Sequence, residues 1–287
     1  MRPGVVAGEA AQSEELTMTD SFTVPVERAA LFLDFDGAFA ALQAAPDAVT
    51  ATAERTQLLE ALQARLEGRL AVLSGRTLAD LDRVTDGKVE AVAALNGLLR
   101  RAPGRRLDSP EPHPCLEEVA DLVAGLARTS PGVRSEPKGL SVAVHFRGAP
   151  EAADELRRIL LAIGKATGLA FHEDSMVVEL ATPGWDKGRA IEDLMAWPPF
   201  KGATPIFAGD AAADEPAFAA VAGLGGVGVL IGEPRETSAL ARVPSPAHLR
   251  SLLRRALDTG VFQFPAPIGR EPSGAAADGR PARDERS

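Results

Sequence analysis

Four short stretches of this chain carry side chains whose types and spacing could do chemistry together. Asp34-Phe35-Asp36-Gly37 places two carboxylates two residues apart, directly after an apolar run. On an extended backbone such residues face the same way, about 6 to 7 Å apart. Asp34 could then attack phosphorus while Asp36 protonates the leaving oxygen and later activates water. Gly37 permits the sharp turn that follows. A plain pair of solvated acids at a strand end would read the same in isolation. Ser74-Gly75-Arg76 offers a hydroxyl and backbone N–H groups that could hold phosphoryl oxygens at a strand-to-helix turn, although serine is also a common helix cap. Asp186-Lys187-Gly188 precedes a helix, and its lysine could offset charge between a phosphoryl group and Asp34. Gly209-Asp210-Ala211-Ala212-Ala213-Asp214-Glu215 sets two carboxylates four apart at a turn into a helix. Such oxygen-rich sites suit Mg²⁺, and an acidic helix start is also favoured by the macrodipole.

The combination says more than its parts. Asp34, Asp36, Asp210 and Asp214 would crowd four negative charges together, and a like-charge pair at 4 Å costs about 4 kcal/mol at an effective dielectric near 20. A cation is therefore expected. Mg²⁺ would supply it as Lewis acid and template, with Lys187 and Ser74 stabilising the transferring group.

The elements that must position these residues follow from apolar patterning. Residues 29–35 (AALFLDF) form a run that reads as a buried parallel strand, as do 69–73 (RLAVL), 205–208 (PIFA) and 226–231 (GVGVLI). Helical spacing at 52–66, after SGR, and at 215–222 alternates with them, which predicts an α/β parallel sheet with helices on both faces. Ligands in such sheets sit outside the carboxyl ends of the strands, where all four motifs fall. The middle of the chain breaks the rhythm. A helix at 116–127, the alternating strand LSVAVHF at 140–146, a helix near 152–165 and short strands at 169–173 and 176–180 suggest a small α+β unit of helix-strand-strand-helix-strand-strand form. It is inserted between the second and third of these core strands and overhangs the acids. The expected division is a leader over 1–27, core over 28–102, cap over 103–180, core over 181–266 and a loose tail over 267–287.

Composition bounds the function. The 287 residues carry a formal net charge of −9, against the basic surface of a nucleic-acid binder. No window approaches the ~18 continuous apolar residues of a membrane span. Cys115 is the single cysteine, so no intrachain disulfide forms and a cytoplasmic location fits.

The motifs LFLDFDG, LAVLSGRTLADLD, PGWDKGRAI and PIFAGDAAADEPAF resemble, in order, the four motifs of the haloacid-dehalogenase superfamily. EPKGLSVAVHFR at 136–147, MVVELATPGWDKG and GVLIGEPRETSALARVPSPAHLRSLLRRAL are similar to the trehalose-6-phosphate phosphatases within it. The resemblance covers about Ala29 to Leu257. It implies a Rossmannoid core with an α+β cap, and Mg²⁺-dependent hydrolysis of trehalose 6-phosphate through an aspartyl-phosphate. It makes Asp34 the nucleophile and Asp36 the general acid/base. Mg²⁺ is then held by the Asp34 carboxylate, the Asp36 backbone carbonyl and Asp210, with Asp214 in support. Ser74 and Lys187 bind phosphate. Lys138, His145, Arg147 and Glu179 of the cap reach the sugar hydroxyls or phosphate, although His145 and Arg147 share a face that could be simply solvated. His113, His172 and His248 show no partner pattern.

Four positions depart from the family pattern. Ala38 stands where threonine follows DFDG, Ala211 and Ala213 stand in the GDDxTDE motif, and Asn96-Gly97 replaces a usual His-Gly pair. The direct groups Asp34, Asp36, Asp210 and Lys187 survive, so activity is expected at a rate these losses could lower. Two alternatives stay open: another sugar phosphate, including a glycosyl-phosphoglycerate, handled by the same chemistry, or a non-catalytic sugar-phosphate sensor or partner of a trehalose-phosphate synthase. A mutase built on the same core is disfavoured by the large cap.

Overall fold

A computed structural model describes residues 21–43, 48–174 and 176–266. Its strands, in chain order, are β1 (Ser21–Pro25), β2 (Ala29–Asp34), β3 (Leu70–Leu73), β4 (Ala91–Ala94), β5 (Leu99–Arg101), β6 (Arg134–Pro137), β7 (Ser141–His145), β8 (Ala170–Asp174), β9 (Val177–Ala181), β10 (Thr204–Gly209), β11 (Val227–Ile231), β12 (Ala241–Val243) and β13 (Val261–Pro265). The α-helices are α1 (Ala53–Arg65), α2 (Leu78–Thr85), α3 (Leu116–Thr129), α4 (Ala153–Thr167), α5 (Lys187–Met195), α6 (Glu215–Gly223) and α7 (Pro246–Thr259).

Among the described residues, the main sheet runs β12-β11-β10-β2-β3-β4-β5 and is parallel except for β5 at its edge. Strand β2 lies at its centre, and its alternation splits the core. Leu31 and Leu33 face a layer containing Leu58, Leu59 and Leu62 of α1, Leu81 and Val84 of α2, and Leu249 and Leu253 of α7. Ala30 and Phe32 face the other layer, with Ile191 and Leu194 of α5 and Phe218 and Val221 of α6. Each fully buried Leu or Phe here is worth about 1.5–3 kcal/mol relative to an exposed one, so β2 is anchored from both sides. That rigidity is what its last residue, Asp34, inherits. The expected α/β parallel sheet is observed.

The middle of the chain forms a separate antiparallel sheet in the order β6-β7-β9-β8. Helices α3 and α4 cover one face through Val119, Val123, Leu156 and Leu160, packed on Val142, Val144, Val178 and Leu180. The intervening positions Ala143, His145, Glu179 and His172 therefore face the other way. Two further core strands, β4 and β5, come between β3 and the insertion, so it follows the antiparallel edge strand rather than the second strand of the core.

Positions 1–20 of the leader expected over 1–27, and the whole of the tail expected over 267–287, lie outside the described residues. The last part of the expected leader is ordered structure. Strand β1 pairs antiparallel with β13, Ser21 opposite Pro265 and Pro25 opposite Val261. Phe22 packs against the core, and Phe262 and Phe264 are part of it. Among the described residues no helix is long and apolar enough to cross a membrane.

Candidate active site

Asp34 ends β2 and Asp210 follows directly on β10, its hydrogen-bonded neighbour. Parallel pairing of these strands brings the two acids to one edge. Atoms of Asp34, Asp210 and Asp214 lie within 4.8 Å of one another. Two glycines make the approach possible. Gly37, at φ +92°, has no room for a side chain: a Cβ there would stand 2.1 Å from Asp210 Oδ2. A Cβ on Gly209 would stand 2.5 Å from Asp214 Oδ2. Any larger residue at either position would push a carboxylate out of the cluster.

Lys187 opens α5, whose N-cap Asp186 accepts from the amide of Arg189 at 2.8 Å. Its Nζ donates to Asp34 Oδ1 at 2.7 Å and to Asp214 Oδ1 at 2.6 Å. All three groups are buried, and Asp214 is wholly so. Burial pushes the Asp34 carboxyl well up; Lys187 opposes this, and Asp214 and Asp210 add to it. Burial alone would favour a neutral Lys187, but the carboxylates of Asp214 and Asp34 outweigh it and raise its pKa above that of an ordinary lysine. The ammonium thus bridges two of the three clustered carboxylates. The close gathering of three carboxylates, the all-oxygen donor set and the side-chain-free cradle at Gly37 fit a hard divalent cation. Asp214 has a narrower part than Asp34 and Asp210. Its Oδ2 accepts from the amides of Asp210 (2.9 Å) and Ala211 (3.1 Å), so both oxygens are engaged in holding Lys187 and the Asp210 loop.

Asp36 sits apart from this cluster. Its carboxylate receives a two-pronged contact from Arg76, Nε to Oδ2 at 2.6 Å and the terminal nitrogen to Oδ1 at 2.8 Å. The other terminal nitrogen of Arg76 bonds Asp80 on the first turn of α2. Burial works against the charge of Arg76, and Asp36 and Asp80 outweigh it, so the guanidinium is held firmly as a cation. Sequence reasoning valued Arg76 only as part of a loop. Its grip on a residue 40 positions away has no local signal.

Ser74 is buried beside this pair, and its Oγ accepts from the Arg76 amide at 3.3 Å. Ser74, Asp34, Asp36, Lys187 and Asp210 all line one cleft of about 620 Å³. Its opposite wall is the open face of the cap sheet. Glu179 there accepts from Ser141 Oγ, and Lys138 Nζ lies 3.6 Å from Glu179 Oε1 and donates to the Gly75 carbonyl at 3.0 Å. His145 Nε2 donates to Glu136 at 2.8 Å, which holds the Glu136 carboxyl below its usual value. Arg147 reaches across to the Gln43 carbonyl at 3.1 Å. The four cap residues expected from the sequence therefore face the acids across one space. The structure adds Arg134, Glu136 and His172 to that wall. His172 is paired opposite Glu179 in the sheet register, and the alternation of 169–173 against 176–180 could have revealed it. His113 instead receives the Cys115 amide on Nδ1, and His248 pairs with Ser245.

The chain has counterparts among known proteins. Residues 32–245 match the model of the trehalose-phosphatase family. The chain belongs to the trehalose-phosphatase family. It is 35% identical over 251 residues to a probable trehalose-phosphate phosphatase of Sinorhizobium fredii, covering 86% of this chain and 94% of that one. It is 32% identical over 222 residues to the trehalose-6-phosphate phosphatase of Escherichia coli, covering 77% and 82%. A crystal structure of a trehalose-6-phosphate phosphatase related protein superposes with a TM-score of 0.66 at 26% identity, over 80% of this chain and 97% of that one. The C-terminal domain of the Candida albicans trehalose-6-phosphate phosphatase shares the fold, at TM-score 0.71 and 18% identity over 81% and 92%. As a trehalose-phosphatase family member, the chain is a phosphatase of haloacid-dehalogenase type with a capped Rossmannoid core.

Proposed function

We propose that the protein hydrolyses trehalose 6-phosphate to trehalose and phosphate, with Mg²⁺ as cofactor and Asp34 as the residue that is transiently phosphorylated. The observation that carries this reading is Lys187 bridging Asp34 and Asp214 beneath a cap whose polar face closes the same cleft. The acids give the reaction, and the cap gives a sugar something to bind.

The steps follow from the groups present. A carboxylate oxygen of Asp34 attacks phosphorus, the bond from phosphorus to the sugar oxygen breaks, and Asp36 gives that oxygen its proton. In the second half Asp36 takes a proton from water, the water oxygen attacks phosphorus, and the bond to Asp34 breaks. Lys187 and Ser74 hold phosphoryl oxygens through both halves. Arg76 fixes the direction of the Asp36 carboxylate, because a guanidinium binds a carboxylate through two parallel contacts in one plane. Asp34, the Asp36 carbonyl and Asp210 would hold the Mg²⁺, which when bound offsets the negative charge shared by carboxylates and phosphate. Lys138, Glu179, His145 and Arg147 would meet sugar hydroxyls from above. A reducing cytoplasmic setting suits the single cysteine.

The second reading, a sugar-phosphate sensor or synthase partner, rests on Ala38, Ala211 and Ala213. The loop nevertheless keeps its geometry by main-chain means, since the Ala211 amide still serves Asp214 and the Ala211 carbonyl accepts from Arg235 at 2.7 Å. Phosphate release from a panel of sugar phosphates with Mg²⁺ tests both readings. Trehalose 6-phosphate should be hydrolysed well ahead of glucose 6-phosphate and glucosyl-phosphoglycerate. Equal rates on all three would remove the substrate assignment, and binding with no turnover would favour the sensor.

A further inference from the structure

The loop Ser74-Gly75-Arg76 is held by its carbonyls, and all three have partners in two different parts of the molecule. The Ser74 carbonyl accepts from the amide of Asn96 at 2.9 Å, and that of Arg76 from the amide of Leu95 at 3.0 Å. Between them, the Gly75 carbonyl accepts from Lys138 of the cap at 3.0 Å. The carbonyl and N–H of a trans peptide point in opposite directions, so fixing these carbonyls also fixes the orientation of the Gly75 and Arg76 amides.

Asn96 belongs to both partners at once. It lies in a turn after β4 with φ +55°, a left-handed conformation that asparagine tolerates better than other residues with a side chain. Its main chain grips the loop, and its side-chain Nδ2 donates to Glu179 Oε2 of the cap at 3.3 Å. The same amide group lies against Gly75, where an added Cβ would stand 3.3 Å from Nδ2. Glu179 in turn holds Ser141, with Lys138 alongside. Resting on the phosphatase reading above, we propose that Asn96 is a positioning residue that couples cap closure to the phosphate-binding loop. A cap lifted from the core loses the Asn96–Glu179 and Lys138–Gly75 contacts together, and the loop is left held at its two ends only.

Two variants test this. Asn96→Gly keeps the main-chain bond and the left-handed turn while removing the amide. Asn96→Asp keeps the shape and sets a carboxylate against Glu179. Each is assayed on trehalose 6-phosphate and on p-nitrophenyl phosphate, a small ester with nothing for the cap to grasp. A hydrogen bond to a charged group is worth about tenfold to a hundredfold. We expect kcat/KM for trehalose 6-phosphate to fall by about that factor through KM, more for Asp than for Gly, with p-nitrophenyl phosphate within about twofold of the parent. Adding Glu179→Gln to Asn96→Gly should cost less than the two separate losses combined. Hydrogen exchange supplies a readout independent of substrate: amides of residues 74–76 and 177–181 should exchange faster in both variants. Equal losses on both esters, or unchanged exchange at 74–76, would overturn the proposal. If the parent protein fails to prefer trehalose 6-phosphate, the functional reading falls, while the exchange result still decides the coupling.

Discussion

The two walls of the cleft are built on different principles. On the core wall, Asp34, Lys187 and Asp214 are buried, mutually bonded and carried by elements packed on both faces. On the cap wall, His145 is half-buried and Glu136 and Arg147 are exposed at the rim, with His145 bonded to Glu136 and Arg147 donating to the Gln43 carbonyl. A displacement of 1 Å matters greatly where bonds are made and broken, and costs little where hydroxyls are recognised through adaptable side chains. Core substitutions should therefore strike kcat and stability together, whereas cap substitutions should act on KM.

The sharpest test of that contrast is Asp34→Asn, which removes the nucleophile. Turnover of trehalose 6-phosphate should fall by at least about a thousandfold, read as phosphate release, while circular dichroism remains that of a folded protein. Removal of divalent cation with EDTA should have a comparable effect, reversed by Mg²⁺. Next comes Lys187→Met, which leaves Asp34 and Asp214 buried without their cation. Loss of one partner from a buried charge cluster costs about 3–5 kcal/mol, so the melting temperature should drop along with activity. An unchanged melting temperature would show that the core wall is not held by this bridge. Arg76→Lys should come third. Its single ammonium cannot reproduce the two-pronged hold on Asp36, and kcat should fall about tenfold or more for trehalose 6-phosphate. The loss should be smaller for p-nitrophenyl phosphate, whose leaving group needs no proton. The smallest effect belongs to the cap. Glu136→Gln should raise KM only about two- to tenfold. The Glu136 carboxyl is held low by His145, so the stabilisation is present above the ordinary carboxylate pKa and is lost as pH falls through the lowered value. The difference in melting temperature between Glu136→Gln and its parent should accordingly shrink on acidification.

The same contrast explains what could be read from the sequence. Strands β2, β3, β10 and β11 are continuous apolar runs ending at acids, glycine or serine, and both their type and their functional ends were legible. Strand β4, AVAA, offers only small side chains that give weak strand signals. Strand β6, RSEP, is an exposed edge containing a proline, with no apolar alternation to mark it. The pairing of β1 with β13 joins segments some 240 residues apart, beyond any local pattern. In the site, Asp34, Asp36, Ser74 and Asp210 announced themselves by position at strand ends, and Lys187 by its place ahead of a helix. Arg76, Asn96 and His172 did not, because their importance lies in what stands opposite them across the cleft or the sheet. Asp214 was legible as an acid but not as a brace, a distinction that depends on where both of its oxygens are spent.

The ladder between β1 and β13 has a practical consequence. It sets the first and last of the described strands side by side, so Ser21 and Pro265 are neighbours. A short flexible splice between them would cross almost no distance, and the polypeptide could then be opened elsewhere without disturbing the order of elements around the acids. A circularly rearranged enzyme of this kind should fold and retain turnover. Deleting either outer strand should instead uncover Phe262 and Phe264 or their partner Phe22, inviting self-association.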